Sequence, residues 1–227
     1  MRGIVMGAIR ASLVMWLLCG LVYPLALTGL GQWLMPFQAN GSLERKPDGT
    51  VIGSRLIGQA WNGPQWFHGR PSATVDADPI DSAKTISAPY NAASSTGSNL
   101  GPASKDLLKR LLGDREALEA TQPEFAGATL PADMLTTSAS GLDPDISPAN
   151  AALQVARVAR ARGVPPAEIY ALLERRITGR DLGIFGEPRV NVLDLNLALQ
   201  RAYPSKGACL GPRAADCIGS SANASEQ

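Results

Sequence analysis

The pattern of apolar and polar positions divides this chain into two unequal parts. No charged side chain occurs between Arg10 and Glu44, and Ala11 to Met35 reads ASLVMWLLCGLVYPLALTGLGQWLM. No comparable apolar run follows. A helix needs roughly 20 apolar residues to cross a hydrocarbon layer of about 30 Å, so this run predicts one membrane-spanning helix. Trp33, near its far end, suits the membrane–water interface. Pro24 lacks a backbone donor and predicts a kink. Gly3, Gly7 and Ala11 recur every four residues, as do Ala8 and Ser12. That spacing lets a second helix backbone approach closely, although small residues are also simply common in membrane helices.

Beyond the run the pattern is mixed. Asn40–Gly49 is a polar, turn-rich linker, and a short strand is expected around Arg55–Ile57. Gly63, Pro64, Gly69 and Pro71 make Trp61–Ser72 a loop whose aromatics pack a small core. Asp76–Pro102 reads as one long loop. Ser104 caps a helix to Thr121 with Leu107, Leu108, Leu111, Leu112 and Leu118 as its apolar face. Leu130–Leu135 is expected as a short strand. Gly141 supplies a backbone angle closed to other residues. Ser147 and Pro148 open a helix that runs to Arg162 and stops at Gly163. Its Ala151, Ala152, Val155, Val158 and Ala159 form one stripe, with Gln154, Arg157 and Ala161 on another face. Pro165 and Pro166 start a helix to Ile177, with Ile169, Leu172 and Leu173 inward. Gly179–Gly186 is a turn region. Glu187–Ala202 alternates leucines at strand spacing but also fits helical spacing. Its Leu, Ala, Gln and Arg content and an Asn191 cap favour helix. The expected fold is α+β. A transmembrane anchor (1–37) precedes a single small mixed α/β extracytoplasmic domain (38–203) and a flexible C-terminal tail (204–227).

Length and charge narrow the function. The chain has 227 residues and a formal net charge of +1, with both signs spread along it. No clustered basic surface points to nucleic acid. The single histidine, His68, cannot build a histidine metal site alone, and the cysteines show no metal-ligand spacing. Cys209 and Cys217 are able to close a small disulfide loop in an oxidising compartment, or stay as free thiols. Arg2, Arg10 and the terminal amine lie on the N-terminal side of the span, against Arg45 and Lys46 well beyond its other end. The excess favours a cytoplasmic N-terminus and an external domain. The competing reading is a signal peptide cleaved near Gly29-Leu30-Gly31. No Ser/His/Asp set is convincing, so no catalytic residue is assigned. His68 reads as a loop histidine bonded to backbone. Asp143 and Asp145 serve turn geometry and the field at the next helix start. Arg70 and Arg189 are able to anchor a partner's carboxylate, but a solvated or internally paired arginine is the commoner outcome. The Ser94–Leu100 stretch lacks the lysine and spacing of a P-loop.

Several blocks together resemble the C subunit of the bacterial Kdp potassium-transporting ATPase. In chain order they are the N-terminal anchor, Leu56-Ile57-Gly58-Gln59, Trp66-Phe67-His68-Gly69-Arg70-Pro71-Ser72, Gly97-Ser98-Asn99-Leu100-Gly101-Pro102 and Pro131-Ala132-Asp133. Thr137-Ser138-Ala139-Ser140-Gly141-Leu142-Asp143-Pro144, Gln154-Val155-Ala156-Arg157-Val158-Ala159 and Gly186-Glu187-Pro188-Arg189-Val190-Asn191-Val192-Leu193 follow. The resemblance implies a non-catalytic accessory subunit of an ATP-driven potassium importer in the bacterial inner membrane. Its implied partners are a potassium-channel-like subunit, a P-type ATPase subunit, a small peptide subunit and the lipid bilayer. It also implies a catalytic chaperone that raises the ATP affinity of the ATPase subunit. ATP is then a shared cofactor, and potassium is the transported ion. If the chain touches nucleotide, the Ser138, Ser140, Gly141 and Asp143 loop and Gln154 are the candidates. ATP is cytoplasmic, however, whereas the charge balance puts the domain outside. The alternatives are an anchored periplasmic hydrolase using His68 and a free-standing binding protein.

Overall fold

The computed structural model describes residues 1–81 and 83–204. The tail cysteines Cys209 and Cys217 lie outside the described residues. Two compact units divide between Leu43 and Glu44.

In the first unit, α1 (Arg2–Leu17), a π-helical turn (Leu18–Val22) and α2 (Tyr23–Leu34) form one rod, followed by the short α3 (Pro36–Ala39). Arg2–Leu34 is long and apolar enough to cross a membrane, and none of its apolar window is buried. Just before Pro24, where a kink is expected, the helix widens: the Tyr23 N–H reaches back five residues to the Leu18 carbonyl. Gly3 and Gly7 have open space where a Cβ would sit.

The second unit begins in β1 (Leu43–Arg45), turns through a Lys46 N–H to Thr50 carbonyl bond, and continues as β2 (Val51–Ser54). The strand expected at Arg55–Ile57 is instead a turn. The Ser54 hydroxyl accepts from the Leu56 N–H at 3.1 Å, and the Ser54 carbonyl accepts from the Ile57 N–H at 3.4 Å, which curls the backbone. Inside the expected long loop lies a hairpin: β3 (Val75–Ala77) pairs antiparallel with β4 (Thr85–Ser87), Asp76 facing Ile86. After α4 (Lys105–Thr121) comes α5 (Ala132–Leu135), a helical turn where a strand was expected. Pro131 supplies its N-cap backbone, and the Thr136 hydroxyl closes it on the Ala132 carbonyl.

A three-stranded sheet and three helices build the core. Strand β5 (Asp145–Ile146) leads into α6 (Pro148–Arg162), capped by Ser147 and ended by Gly163 in the left-handed region. α7 (Pro166–Glu174) and β6 (Ile177–Thr178) follow, so the second helix stops three residues before Ile177, which joins the sheet. Strand β7 (Arg189–Asn191) then leads into α8 (Val192–Ala202), so the helix expected over Glu187–Ala202 forms only beyond Asn191, which caps it. The sheet order is β5-β7-β6, all antiparallel, with Val190 opposite both Ile146 and Ile177. Val155, Val158, Ile169, Val190, Leu195 and Leu199 are completely buried in one cluster, with Trp61, Trp66 and Phe67 of the aromatic loop among them. α4 stands apart. Its helix and Ser104 cap form where the sequence places them, but Leu108 and Leu112 are more than half exposed and no residue on it is buried. The pairs Arg110–Asp114 (2.6 Å) and Arg115–Glu119 (2.7 Å) at i,i+4 spacing support it instead.

Candidate functional site

The aromatic loop has no strand partner, yet its backbone is fully engaged at Phe67 and His68. The Asn196 side-chain amide, from α8, accepts from the Phe67 N–H and donates to the Phe67 carbonyl, both at 2.9 Å. The Gln154 amide, from α6, does the same for His68 at 2.8 and 3.0 Å. Two primary amides thus stand in for a neighbouring strand, each matching one residue's donor and acceptor. Gln154 belongs to a longer polar spine. Its Nε2 also donates to Asn150 Oδ1 (2.8 Å), and its Oε1 accepts from Arg157 Nη2 (2.7 Å). Arg157 fans out to Gln122 Oε1 and to the carbonyls of Pro64 and Trp66. Asn150, Gln154 and Arg157 repeat at helical spacing, and all three are buried.

The spine starts at an acid to which the sequence assigned no role of its own. Asp133 accepts from the Ser147 N–H (2.7 Å), the Ser147 hydroxyl (2.9 Å) and Asn150 Nδ2 (3.0 Å). It therefore supplies the negative group at the α6 N-terminus, a role expected of Asp143 and Asp145. Asp143 keeps the turn role: its Oδ1 accepts from the Asp145 N–H at 3.0 Å. Its Oδ2 holds Arg70 Nη1 at 2.9 Å, while Arg70 Nη2 reaches the Thr137 carbonyl at 3.3 Å. Arg189 pairs with Asp145 and Asp181. Both arginines are thus internally paired.

Around this pair the Ser138–Asp143 loop is stitched to the region after Arg70. The Ser72 hydroxyl donates to the Gly141 carbonyl (2.8 Å) and accepts from the Tyr90 N–H (3.0 Å). The Tyr90 hydroxyl donates to the Arg70 carbonyl at 2.5 Å, and burial, then the Asp143 charge, pushes that phenol up to about 12. Gly141 has a φ of 67°, and a Cβ there would lie 2.5 Å from Thr74 Cγ2 and 2.6 Å from the Thr96 carbonyl. Only glycine meets both demands.

Several hollows flank the junction, and two of them hold the candidate residues. A cleft of about 470 Å³ is lined by Trp61, His68, Tyr90, Leu118, Met134 and Gln154. An open depression of about 630 Å³ is lined by Leu56, Arg70, Ser138, Ser140 and Asp143. The five residues considered for nucleotide therefore divide: Ser138, Ser140, Gly141 and Asp143 share one loop, whereas Gln154 lines the other hollow. Arg70, the one cation among the described residues that line the depression beside this loop, is held by Asp143, and only its buried Nε lacks an acceptor. The Gly141 N–H is taken by the Ser138 carbonyl and the Leu142 N–H by the Ser140 hydroxyl.

His68 is bonded to backbone, as its loop position suggested. Its Nε2 donates to the Gly63 carbonyl at 2.9 Å. Burial, reinforced by repulsion from Arg157, lowers its pKa from 6.5 to about 4. A depressed histidine pKa means that the unfolded chain takes up the proton first. Its stabilising contribution is therefore complete above pH 6.5 and is lost as the pH falls toward 4, about 3 kcal/mol in total. His68→Gln should flatten the acid limb of the stability curve by one proton. Parallel curves for variant and wild type across that window would refute this.

Sequence reasoning missed Asn196, Asp133 and Tyr90. A signal existed for Asn196, which interrupts the leucines of Leu193-Asp194-Leu195-Asn196-Leu197 on the face that α8 buries. A polar residue at such a position needs a buried partner.

The profile of one protein family, described as "KdpC: K+-transporting ATPase, c chain", matches residues 5–201. The potassium-transporting ATPase KdpC subunit of Bradyrhizobium diazoefficiens is 57% identical over 195 residues, covering 86% of this chain and 95% of the relative. The KdpC subunit of Rhodopseudomonas palustris is 56% identical over 197 residues, covering 87% and 96%. That of Methylobacterium nodulans is 57% identical over 183 residues, covering 81% and 89%.

Proposed function

The chain belongs to the KdpC family, the c chain of the K+-transporting ATPase, and on that premise we propose that it is a non-catalytic accessory subunit of an ATP-driven potassium importer. The supporting observation is that the match runs through both the apolar helix and the globular unit, so that an apolar helix ahead of a globular unit is part of the family pattern. In this reading the helix sits in the bacterial inner membrane with its N-terminus in the cytoplasm. The globular domain lies on the periplasmic side, stabilises the assembly and shapes potassium access. Its partners are the P-type ATPase subunit, a channel-like subunit and a small peptide subunit.

The rise in ATP affinity that the resemblance implies is assigned to the assembled complex, not to nucleotide held in the Ser138–Asp143 loop. The support is that Arg70 is paired with Asp143 and that the Gly141 and Leu142 N–H groups of the loop already have acceptors. Protease protection tests the orientation. In sealed spheroplasts, protease added outside should digest the globular domain, and inverted vesicles should protect it. Digestion in inverted vesicles would overturn the orientation. A fluorescent ATP analogue should bind the complex more tightly than the complex without this chain, yet show no saturable binding to the purified chain. Saturable binding that Ser140→Ala weakens would return the nucleotide to the loop. Replacing His68 by alanine separates this reading from the anchored hydrolase: transport should persist in the first case, and turnover should vanish in the second.

A further inference from the structure

Backbone in a bilayer has no water to fall back on, so each carbonyl there needs a donor from the chain or from a neighbour. In a helix the carbonyl of residue i has two regular donors, the N–H of i+4 in α geometry and of i+5 in π geometry. At Cys19 both are missing. The Tyr23 N–H is committed to Leu18, one residue earlier, through the wide turn Leu18–Val22. Residue 24 is proline and has no N–H. The next carbonyl, of Gly20, loses its α-type donor to the same proline.

The position makes this costly. Cys19 lies nine residues past Arg10, about 13 Å along a helix, which places it near mid-depth in a core about 30 Å thick. The site is also open. Gly20 has no side chain, nothing stands within 4 Å of where its Cβ would be, and the apolar window of the rod is wholly unburied. Lipid tails offer no donor at that depth, and the helix has no charged residue after Arg10 with which to supply one.

From these facts we infer that the Cys19–Gly20 backbone, bared by the π turn and Pro24, is a docking point for a hydrogen-bond-donating side chain on a membrane helix of another chain of the same ATPase. This rests on the subunit reading above. The chemistry selects a donor such as a hydroxyl, primary amide, indole or amine, because the exposed group is an acceptor only. Glycine at position 20 lets that helix come close enough to deliver it. A second copy of this chain fits less well, since its own helix presents the same acceptor at the same depth.

The test uses the full chain expressed with the other ATPase chains and purified in mild detergent through a tag on the P-type subunit. Pro24→Ala restores an N–H to the ladder, and Gly20→Leu covers the carbonyls while leaving the proline in place. Each should lower the amount of this chain retained after washing by about three- to twenty-fold, the range expected for one interhelical hydrogen bond in a membrane. Retention of either variant at the wild-type level overturns the docking point. A wild-type chain that is absent from the material held by the tagged P-type subunit overturns the subunit reading itself. A direct readout comes from a ¹³C=¹⁸O label at Cys19 in a chain carrying Cys209→Ser and Cys217→Ser. Its amide I band should move to lower wavenumber when the chain joins the complex, and an unmoved band counts against the proposal.

Discussion

Leucine in place of Gln154 is expected to lower the unfolding free energy of the globular unit by about 4 kcal/mol. The substitution nearly conserves volume, so the loss comes from polar groups left behind. Four partners lose their bond at once: the His68 N–H and carbonyl, Asn150 Oδ1 and Arg157 Nη2. A buried group stripped of its partner costs about 1–3 kcal/mol, and more when charged, as Arg157 is. Arg157 also holds the carbonyls of Pro64 and Trp66, so its displacement would loosen the whole aromatic loop. Denaturant titration followed by near-ultraviolet circular dichroism reports on this directly, because the Trp61 and Trp66 rings lie with centroids 4.9 Å apart and planes tilted by 50° in that loop. Gln154→Glu keeps the acceptor for His68 and Arg157 and should lose about half as much. A leucine variant within about 1 kcal/mol of wild type would mean that the amide clasp contributes little.

The second large effect is Gly141→Ala, expected at about 3 kcal/mol, against about 1 kcal/mol for Gly163→Ala. The two glycines share a backbone angle, with φ of 67° and 66°. The left-handed penalty of roughly 1 kcal/mol is therefore common to both. They differ in what a methyl would meet. Around Gly163 there is open space, because it only ends α6. At Gly141 the methyl would press on Thr74 Cγ2 and the Thr96 carbonyl, and on Ser72 Oγ at 3.3 Å. Relieving that overlap costs a further 1–3 kcal/mol. It would also pull the Ser138–Asp143 loop from Ser72 and strain the Arg70–Asp143 pair. Thermal unfolding of the two variants side by side separates strain from crowding. Equal shifts would show that Gly141 is needed for its angle alone.

Local signals were legible in the sequence where one residue type suffices for one geometry. Ser104, Ser147 and Asn191 cap the helices that the sequence assigned to them, and Gly163 ends α6. Of the stripe on α6, Ala151, Val155, Val158 and Ala159 are buried and Ala152 is half-buried, because small side chains at helical spacing permit close packing whatever the partner. Where two geometries competed, the sequence misled. Leu130–Leu135 has strand-like content but coils after Pro131, which lets Asp133 reach Ser147 and Asn150. The leucines of α4 look like a core face, yet two of them remain open because the sheet and the α6–α8 core take other partners.

By itself the chain determined one apolar rod, a mixed domain after it, the capped helices and the family signature, since each depends on residues near one another in sequence. The tertiary structure alone decided that Gln154 and Asn196 replace a missing strand, that Asp133 rather than Asp143 serves α6, and that Arg70 is spent on Asp143. Those pairings join residues 14 to 129 positions apart. Side-chain hydrogen bonds at such separations leave no periodic trace, because nothing in local spacing states which buried donor will meet which acceptor.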